Sequence, residues 1–121
     1  MSTFQNYILG NWITGDGVET QLFHAVTNAE LGSVSSAGID YEQVLDYGRR
    51  TGGRALRKMT FQERGRMLKA LALFLMERKD RYYEVSSWTG ATKVDSWIDI
   101  EGGIGNLFAN ASLRKQFPDL P

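Results

Sequence analysis

The stretch TFQERGRMLKALALFLM, residues 60–76, predicts the central helix of this chain. Thr60 stands three residues before Glu63, the spacing at which the two side chains cap the first free backbone N–H groups of a helix. Between Met67 and Met76 only Lys69 is polar, so the helix is apolar on nearly every side. We therefore expect a helix from Thr60 to about Lys79 that needs cover on more than one face.

Toward the C-terminus the pattern predicts two more helices. Asp80 can cap a helix over residues 81–89, which Gly90 would end from the position after the cap. A longer helix follows from about Thr92 to Lys115, because apolar and small residues recur there at helical spacing. The residues near this one stripe are Val94, Trp97, Ile98, Glu101, Gly105 and Phe108.

Toward the N-terminus the helical pattern begins at Asp40. Asp40 precedes Gln43 by three residues, which again fits a helix start. Two adjacent glycines, Gly52 and Gly53, make helical order entropically costly. We expect the helix to fail there and a short turn to follow over residues 54–59.

Short β-prone runs occupy the first 35 residues. Tyr7–Leu9 and Trp12–Thr14 should pair through a type II′ turn at Gly10-Asn11, because glycine suits the first position of that turn. Leu22–Val26 and Ser33–Ser35 form a second expected pair. The predicted fold class is mostly α with a small N-terminal antiparallel β-hairpin region, an α+β arrangement.

Composition limits the class of protein. The 121 residues have 42% hydrophobic content, enough for a core, and no linker or repeat divides them. We expect one unit over 1–121, with strands and hairpins in 1–38 and helices in 40–116. Fourteen basic residues balance fourteen acidic ones, so no net field attracts nucleic acid.

The sequence contains no cysteine, and it shows neither the pattern of a signal peptide nor that of a membrane segment. The chain has no cysteine, which excludes disulfides and thiolate chemistry within it. Its first residues lack the pattern of a secretion signal, so a cytoplasmic location is the default expectation. The longest apolar stretch covers residues 67–76, whereas spanning a bilayer takes about 20 residues.

The segment SWIDIEGGIGN, residues 96–106, raises the question of an active site. As a dinucleotide fingerprint it fails, because Phe108 stands where another glycine is required. Interior glycines cost a helix about 0.5 to 1 kcal/mol each, so Gly102, Gly103 and Gly105 predict a close approach by a neighbouring backbone. Glu101 could be a general base, but a locally bonded helical glutamate is the commoner case.

No catalytic or metal-binding set emerges around Glu101 or elsewhere. Asp95 and Asp99 lie off the face of Glu101, and no histidine or lysine is obviously paired with it. His24 is the single histidine, placed in an expected strand, which favours a structural or surface role over metal binding. The basic residues favour a solvated face over a phosphate site; they are Arg49, Arg50, Arg54, Arg57 and Lys58.

Three longer runs resemble the opening of the aldehyde dehydrogenase superfamily. They are NYILGNWITGDG (residues 6–17), MTFQERGRMLKALALFLMERKDRYYEVSSWTGATK (59–93) and TGATKVDSWIDIEGGIGNLFANASL (89–113). The last is similar to the dehydrogenase part of bifunctional phenylacetate-degradation proteins, which join an oxepin-CoA hydrolase to a semialdehyde dehydrogenase. The resemblance implies part of the helical layer of that family's N-terminal, cofactor-binding domain.

The resemblance implies, for a full-length relative, NAD(P)-dependent oxidation of an aldehyde through a catalytic cysteine and a glutamate. This chain has no cysteine, and none of the family's catalytic, cofactor-binding or metal-binding residues can be assigned to it. Glu101-Gly102-Gly103 does not match the family's E-L-G-G-K motif, because the leucine and the lysine are missing. We expect no cofactor in this chain itself.

The leading interpretation is therefore an N-terminal scaffold segment of a larger dehydrogenase of aromatic catabolism, expected to be an oligomer, and not catalytic by itself. Its expected partner is the rest of the dehydrogenase domain, or a second copy bound through apolar helix faces, and neither nucleic acid nor membrane. A stand-alone helical protein-interaction module is the alternative. An enzyme that uses Glu101 unaided is the third interpretation.

Overall fold

The computed structural model describes residues 2–120 and confirms the α+β fold class. Short strands occupy the first part of the chain, and helices follow from Tyr41 onward. The contacts group the chain into two compact units, one ending at Gly53 and the other beginning at Arg54. The single unit expected over 1–121 from the sequence stays a prediction.

Three strands of the first unit form a mixed sheet. The central strand β5 (Glu30–Val34) pairs in parallel with β1 (Ser2–Phe4) and antiparallel with β4 (Thr20–Phe23). The antiparallel pair corresponds to the second predicted pair, although β4 starts earlier and ends before His24. The parallel partner β1 was not predicted, because its pairing depends on a strand 30 positions away in the register Ser2↔Gly32.

A separate hairpin joins β2 (Asn6–Ile8) to β3 (Asn11–Ile13), with Tyr7 opposite Trp12. The two-residue loop is Leu9-Gly10, and φ is +53° and +78° at these residues. Positive φ at both positions defines a type I′ turn, so the predicted type II′ turn at Gly10-Asn11 was wrong by one residue. In the observed register the Tyr7 and Trp12 rings pack with their centroids 5.0 Å apart.

The helical pattern at Asp40 begins as predicted. The Asp40 carboxylate accepts a hydrogen bond from the Gln43 backbone N–H (3.2 Å) and caps α1 (Tyr41–Tyr47). The expected failure at Gly52-Gly53 was wrong, because a π-helical turn over Gly48–Gly52 leads directly into α2 (Gly53–Arg57). Glycine weakens a helix through entropy rather than through a clash, so it lowers helical stability without forbidding the helical backbone.

The second unit contains three longer helices and a final 3₁₀ turn. They are α3 (Phe61–Met76), α4 (Lys79–Trp88), α5 (Lys93–Ser112) and the turn Leu113–Gln116. Helix α5 packs against both α3 and α4. No helix described in residues 2–120 combines the length and the apolar character that crossing a membrane requires.

Capping explains where these helices begin and end. The Thr60 hydroxyl accepts from the Glu63 N–H (3.1 Å) and the Glu63 carboxylate accepts from the Thr60 N–H (2.8 Å), which confirms the capping box. Gly90, with φ of +85°, follows the end of α4 as predicted. Asp80 was wrong as a cap, because α4 begins at Lys79 and Asp80 lies within its first turn, two residues after the cap position Arg78.

The close helix approach lies at Gly65 rather than at the glycines of α5. A Cβ at Gly65 would lie 2.8 Å from Arg114 Cβ and 2.9 Å from the Ala111 carbonyl oxygen. At Gly102, Gly103 and Gly105 a Cβ would meet nothing within 4 Å. Among residues 2–120 no neighbouring element approaches the α5 glycines, so their predicted contact with a backbone stays a prediction for polypeptide outside this chain. Within the chain, α3 rather than α5 supplies the glycine at the helix crossing.

The last described residues return to the start of α3. Gln62 Nε2 donates hydrogen bonds to the carbonyl oxygens of Arg114 (2.6 Å) and Phe117 (2.9 Å). The Thr60 hydroxyl donates to Asp119 Oδ1 (2.7 Å). These bonds hold residues 117–119 beside the beginning of the helix that residues 60–63 cap.

Candidate functional site

Large apolar side chains remain exposed on the helices of the second unit. On α3, Ala72 is fully buried, but Leu71, Leu73 and Phe74 are each close to half exposed. On α5, Trp97 is 56% exposed. An exposed apolar face of this kind marks an interaction surface in a protein that is stable in water. The unit therefore covers α3 on one side and leaves its other apolar side chains open, as the all-round apolar pattern indicated.

An apolar groove opens among the three helices of this unit. It has a volume of about 350 Å³, and its lining surface is wholly apolar. The lining residues are Leu75 of α3, Tyr82 of α4, and Ile100, Gly103, Ile104 and Leu107 of α5. Packed helices of one unit form all its walls, and the groove is broadly open to solvent.

Glu101 lies in a hydrogen-bonded group that we call the Glu101 cluster: Lys79, Tyr83 and Glu101. The Tyr83 hydroxyl donates to Glu101 Oε2 at 2.5 Å, and Lys79 Nζ lies 3.2 Å from Glu101 Oε1. The side chain of Glu101 is 22% exposed. The expectation that no lysine pairs with Glu101 was wrong. Lys79 and Tyr83 are four positions apart on α4, so they share a face, a spacing that could have indicated them.

The cluster shifts the pKa values of two of its members in opposite directions. The hydrogen bond from Tyr83, followed by the one from Lys79, lowers the pKa of Glu101 below its usual value. Loss of water around the phenol, followed by its hydrogen bond to Glu101, raises the pKa of Tyr83 to about 12. At neutral pH Glu101 is therefore a carboxylate and Tyr83 a neutral phenol.

This arrangement favours a structural role for Glu101. A general base needs a free oxygen and a pKa near the working pH, whereas both oxygens of Glu101 accept hydrogen bonds and its pKa is lowered. The cluster joins α4 to α5, and the hydroxyls of Ser86 and Ser96 form a second link between these helices at 2.7 Å. The geometry thus agrees with a locally bonded helical glutamate.

An open cleft of about 460 Å³ lies beside the cluster and mixes charges of both signs. Its walls carry Lys79 and Lys93 together with Asp80 and Glu101. Asp95, one of the two other α5 carboxylates considered above, accepts a hydrogen bond from the Thr92 hydroxyl at 2.8 Å at the start of α5. The cleft has no excess of one charge that would select a charged substrate.

His24 lies in the turn between β4 and β5 rather than in a strand. Its Nδ1 accepts hydrogen bonds from the backbone N–H groups of Val26 (3.1 Å) and Thr27 (3.3 Å). These bonds give His24 a structural role in shaping the turn. Among residues 2–120, no three histidine or carboxylate side chains come together in a way that could hold a metal ion.

The five basic residues from Arg49 to Lys58 are all exposed. Arg50 forms an ion pair with Asp46 on the same helical stretch, with Nε 2.9 Å from Oδ1. Arg54 and Arg57 lie on α2. This exposure agrees with a solvated face, the interpretation that the sequence favoured.

Comparison with known proteins gives one informative relative. No family model matches the chain. The 3,4-dehydroadipyl-CoA semialdehyde dehydrogenase of Aromatoleum evansii is 39% identical to it over 111 residues. The alignment covers 91% of this chain and 22% of the relative, so the chain spans about one-fifth of the relative's length. Over nearly its whole length, this chain is therefore similar to one segment of a semialdehyde dehydrogenase, which confirms the coarser part of the resemblance.

Proposed function

We propose that this chain is an N-terminal scaffold segment of an NAD(P)-dependent semialdehyde dehydrogenase in aromatic catabolism, and that it is not catalytic by itself. One observation carries the proposal: the 39% identity extends over 91% of the chain while covering 22% of the dehydrogenase. A segment that aligns almost completely with part of an enzyme has the size and pattern of a structural portion of that enzyme.

The side chains of the second unit support a scaffold role. Helices α3 and α5 expose Phe74 and Trp97, which a larger protein would bury. The chain contains no cysteine, so the nucleophile of the family's reaction would come from the rest of the enzyme, together with the NAD(P) site. The bifunctional phenylacetate-degradation type and a cytoplasmic location belong to the same proposal.

The test is a chimera, in which this chain replaces the matched segment of the full-length Aromatoleum evansii dehydrogenase. We expect a folded protein that oxidises 3,4-dehydroadipyl-CoA semialdehyde with NAD or NADP. The dehydrogenase without the matched segment is the control and should be inactive. A chimera as inactive as that control would contradict the scaffold role.

A stand-alone helical interaction module remains the second candidate, because the apolar groove is complete within one unit. The two candidates differ in the mass of the native protein. An antibody against this chain should detect a product much larger than 13.6 kDa in source cells if the chain is a scaffold segment. A product of 13.6 kDa together with an inactive chimera would favour the interaction module.

A further inference from the structure

We propose that the apolar groove receives an apolar segment from the remaining part of the dehydrogenase, packed directly against the backbone of Gly103. This inference rests on the proposed function and adds to it the contact surface and the chemistry of the occupant. The segment would insert aliphatic or aromatic side chains between α3, α4 and α5.

The first argument is the chemistry of the groove walls. All the lining surface is apolar, and Tyr82, Ile104 and Leu107 supply large hydrophobic side chains from two helices. A polar or charged ligand would lose its hydration there without gaining a hydrogen bond from the lining. An apolar occupant instead gains free energy in proportion to the apolar surface that it removes from water.

The second argument is the glycine on the groove wall. Gly103 lies inside α5, where glycine is less favourable than alanine because it loses more conformational freedom on folding. Nothing among residues 2–120 requires that cost, because a Cβ at position 103 would meet no atom from another part of the described chain within 4 Å. Gly65 shows the contrast, since a Cβ there would lie 2.9 Å from the Ala111 carbonyl oxygen of this same chain. A backbone from outside the chain would account for Gly103 in the way that α5 accounts for Gly65.

The third argument identifies the occupant. The matched relative has 78% of its length outside the aligned segment, the difference between the whole protein and the 22% covered. In that relative, several times more polypeptide is attached to the segment than the segment itself contains. The attached polypeptide is present at a high effective concentration, which a second copy of this chain lacks. The remaining part of the dehydrogenase is therefore the occupant that we choose.

The test compares Gly103→Leu in two settings, the isolated chain and the chimera. In the isolated chain the new side chain enters open space and leucine favours the helix, so the thermal unfolding midpoint should stay constant or rise. In the chimera the side chain competes with the occupant, so the midpoint should fall by about 2 °C or more. A chimera variant that fails to fold, while the isolated variant folds, is the same result in its extreme form.

Two matched variants make the comparison specific. Gly103→Ala tests the same position with a smaller side chain. Its unfolding midpoint should stay constant or rise in the isolated chain and fall in the chimera, by less than for Gly103→Leu. Gly48→Leu introduces leucine at an equally open glycine of the first unit and should not show opposite responses in the two settings. An unchanged midpoint for Gly103→Leu in the chimera would overturn the inference.

The remaining outcomes separate this inference from the proposed function. An inactive, unfolded wild-type chimera would overturn both, whereas an active chimera that tolerates Gly103→Leu would overturn the groove assignment alone. A second copy as the occupant would appear as an isolated chain that is dimeric by light scattering and monomeric after Gly103→Leu. That result, with an unaffected chimera, would also overturn the inference.

Discussion

The Tyr83 hydroxyl donates a hydrogen bond to Glu101 Oε2 over 2.5 Å, between two residues that are 18 positions apart in the sequence. The bond connects α4 to α5 near the point where Lys79 also reaches Glu101. It keeps Glu101 ionised and Tyr83 neutral, and it makes the stability of the helical unit sensitive to pH at both extremes of the scale.

Replacing Tyr83 with phenylalanine should remove part of the loss of stability at high pH. The pKa of Tyr83 is about 12 in the folded chain and 10.0 without the environment of the fold. Between these values the unfolded chain releases the Tyr83 proton and the folded chain keeps it, so stability falls as pH rises. Urea unfolding at pH 9 to 12 should therefore show a smaller decline for Tyr83→Phe than for the unchanged chain. Equal declines would contradict the assigned environment of Tyr83.

Replacing Glu101 with glutamine should act at the acidic end. The folded chain holds the pKa of Glu101 below 4.5, so the carboxylate stabilises the fold above that pH and loses this effect as pH falls through the folded pKa. Glu101→Gln should be less stable at pH 7 and lose less stability on acidification. Glu77→Gln is the control, because Glu77 is 76% exposed and pairs with its sequence neighbour Arg78. A chimera that keeps its dehydrogenase activity with Glu101→Gln would also exclude Glu101 as the catalytic base.

The glycines of α3 and α5 should respond to alanine in opposite directions. Gly65→Ala places a Cβ within 2.9 Å of the Ala111 carbonyl oxygen, and relief requires α3 and α5 to separate. Overpacking of this kind costs about 1 to 3 kcal/mol. Gly102→Ala meets open space and should stabilise the isolated chain by about 0.5 to 1 kcal/mol. Chemical unfolding of both variants measures the difference, and a stabilising Gly65→Ala would contradict the observed helix crossing.

The isolated chain should associate through its exposed apolar helix faces. We expect light scattering to show species larger than a monomer and a hydrophobic dye to bind strongly. Trp97→Ser, which removes a 56% exposed indole, should reduce both signals, whereas Val18→Ser at a 92% exposed position of the first unit should change them little. A monomer that binds no dye would argue against an unsatisfied interaction surface.

Local sequence signals predicted the parts of the fold that local chemistry determines. The capping box of Thr60 and Glu63, the cap at Asp40 and the end of α4 at Gly90 all depend on residues within one or two turns. The hairpin was predicted, but its turn was placed one residue too late, because Gly10 suits either position of a two-residue loop. The observed type I′ turn requires Leu9 to adopt a positive φ that leucine rarely favours.

Contacts between residues far apart in the sequence could not be predicted from such local patterns. Strand β1 pairs with a strand about 30 positions away, and Lys79 reaches Glu101 across 22 positions. The glycines in the helical segments indicated that two helices would approach closely, but they did not indicate at which glycine. Gly65 is the single glycine of α3, and a lone glycine gives a weaker sequence signal than the three glycines of α5, although it is the one at which the helices approach closely.

The hydrogen bonds from Gln62 and Thr60 to residues 114–119 place the two ends of the helical segment side by side. A segment with adjacent ends is suited to circular permutation, in which a short linker joins the ends and new termini are opened elsewhere. The exposed turn at Gly90, between α4 and α5, is the natural position for such an opening. The helices would then keep their packing while their order along the chain changes.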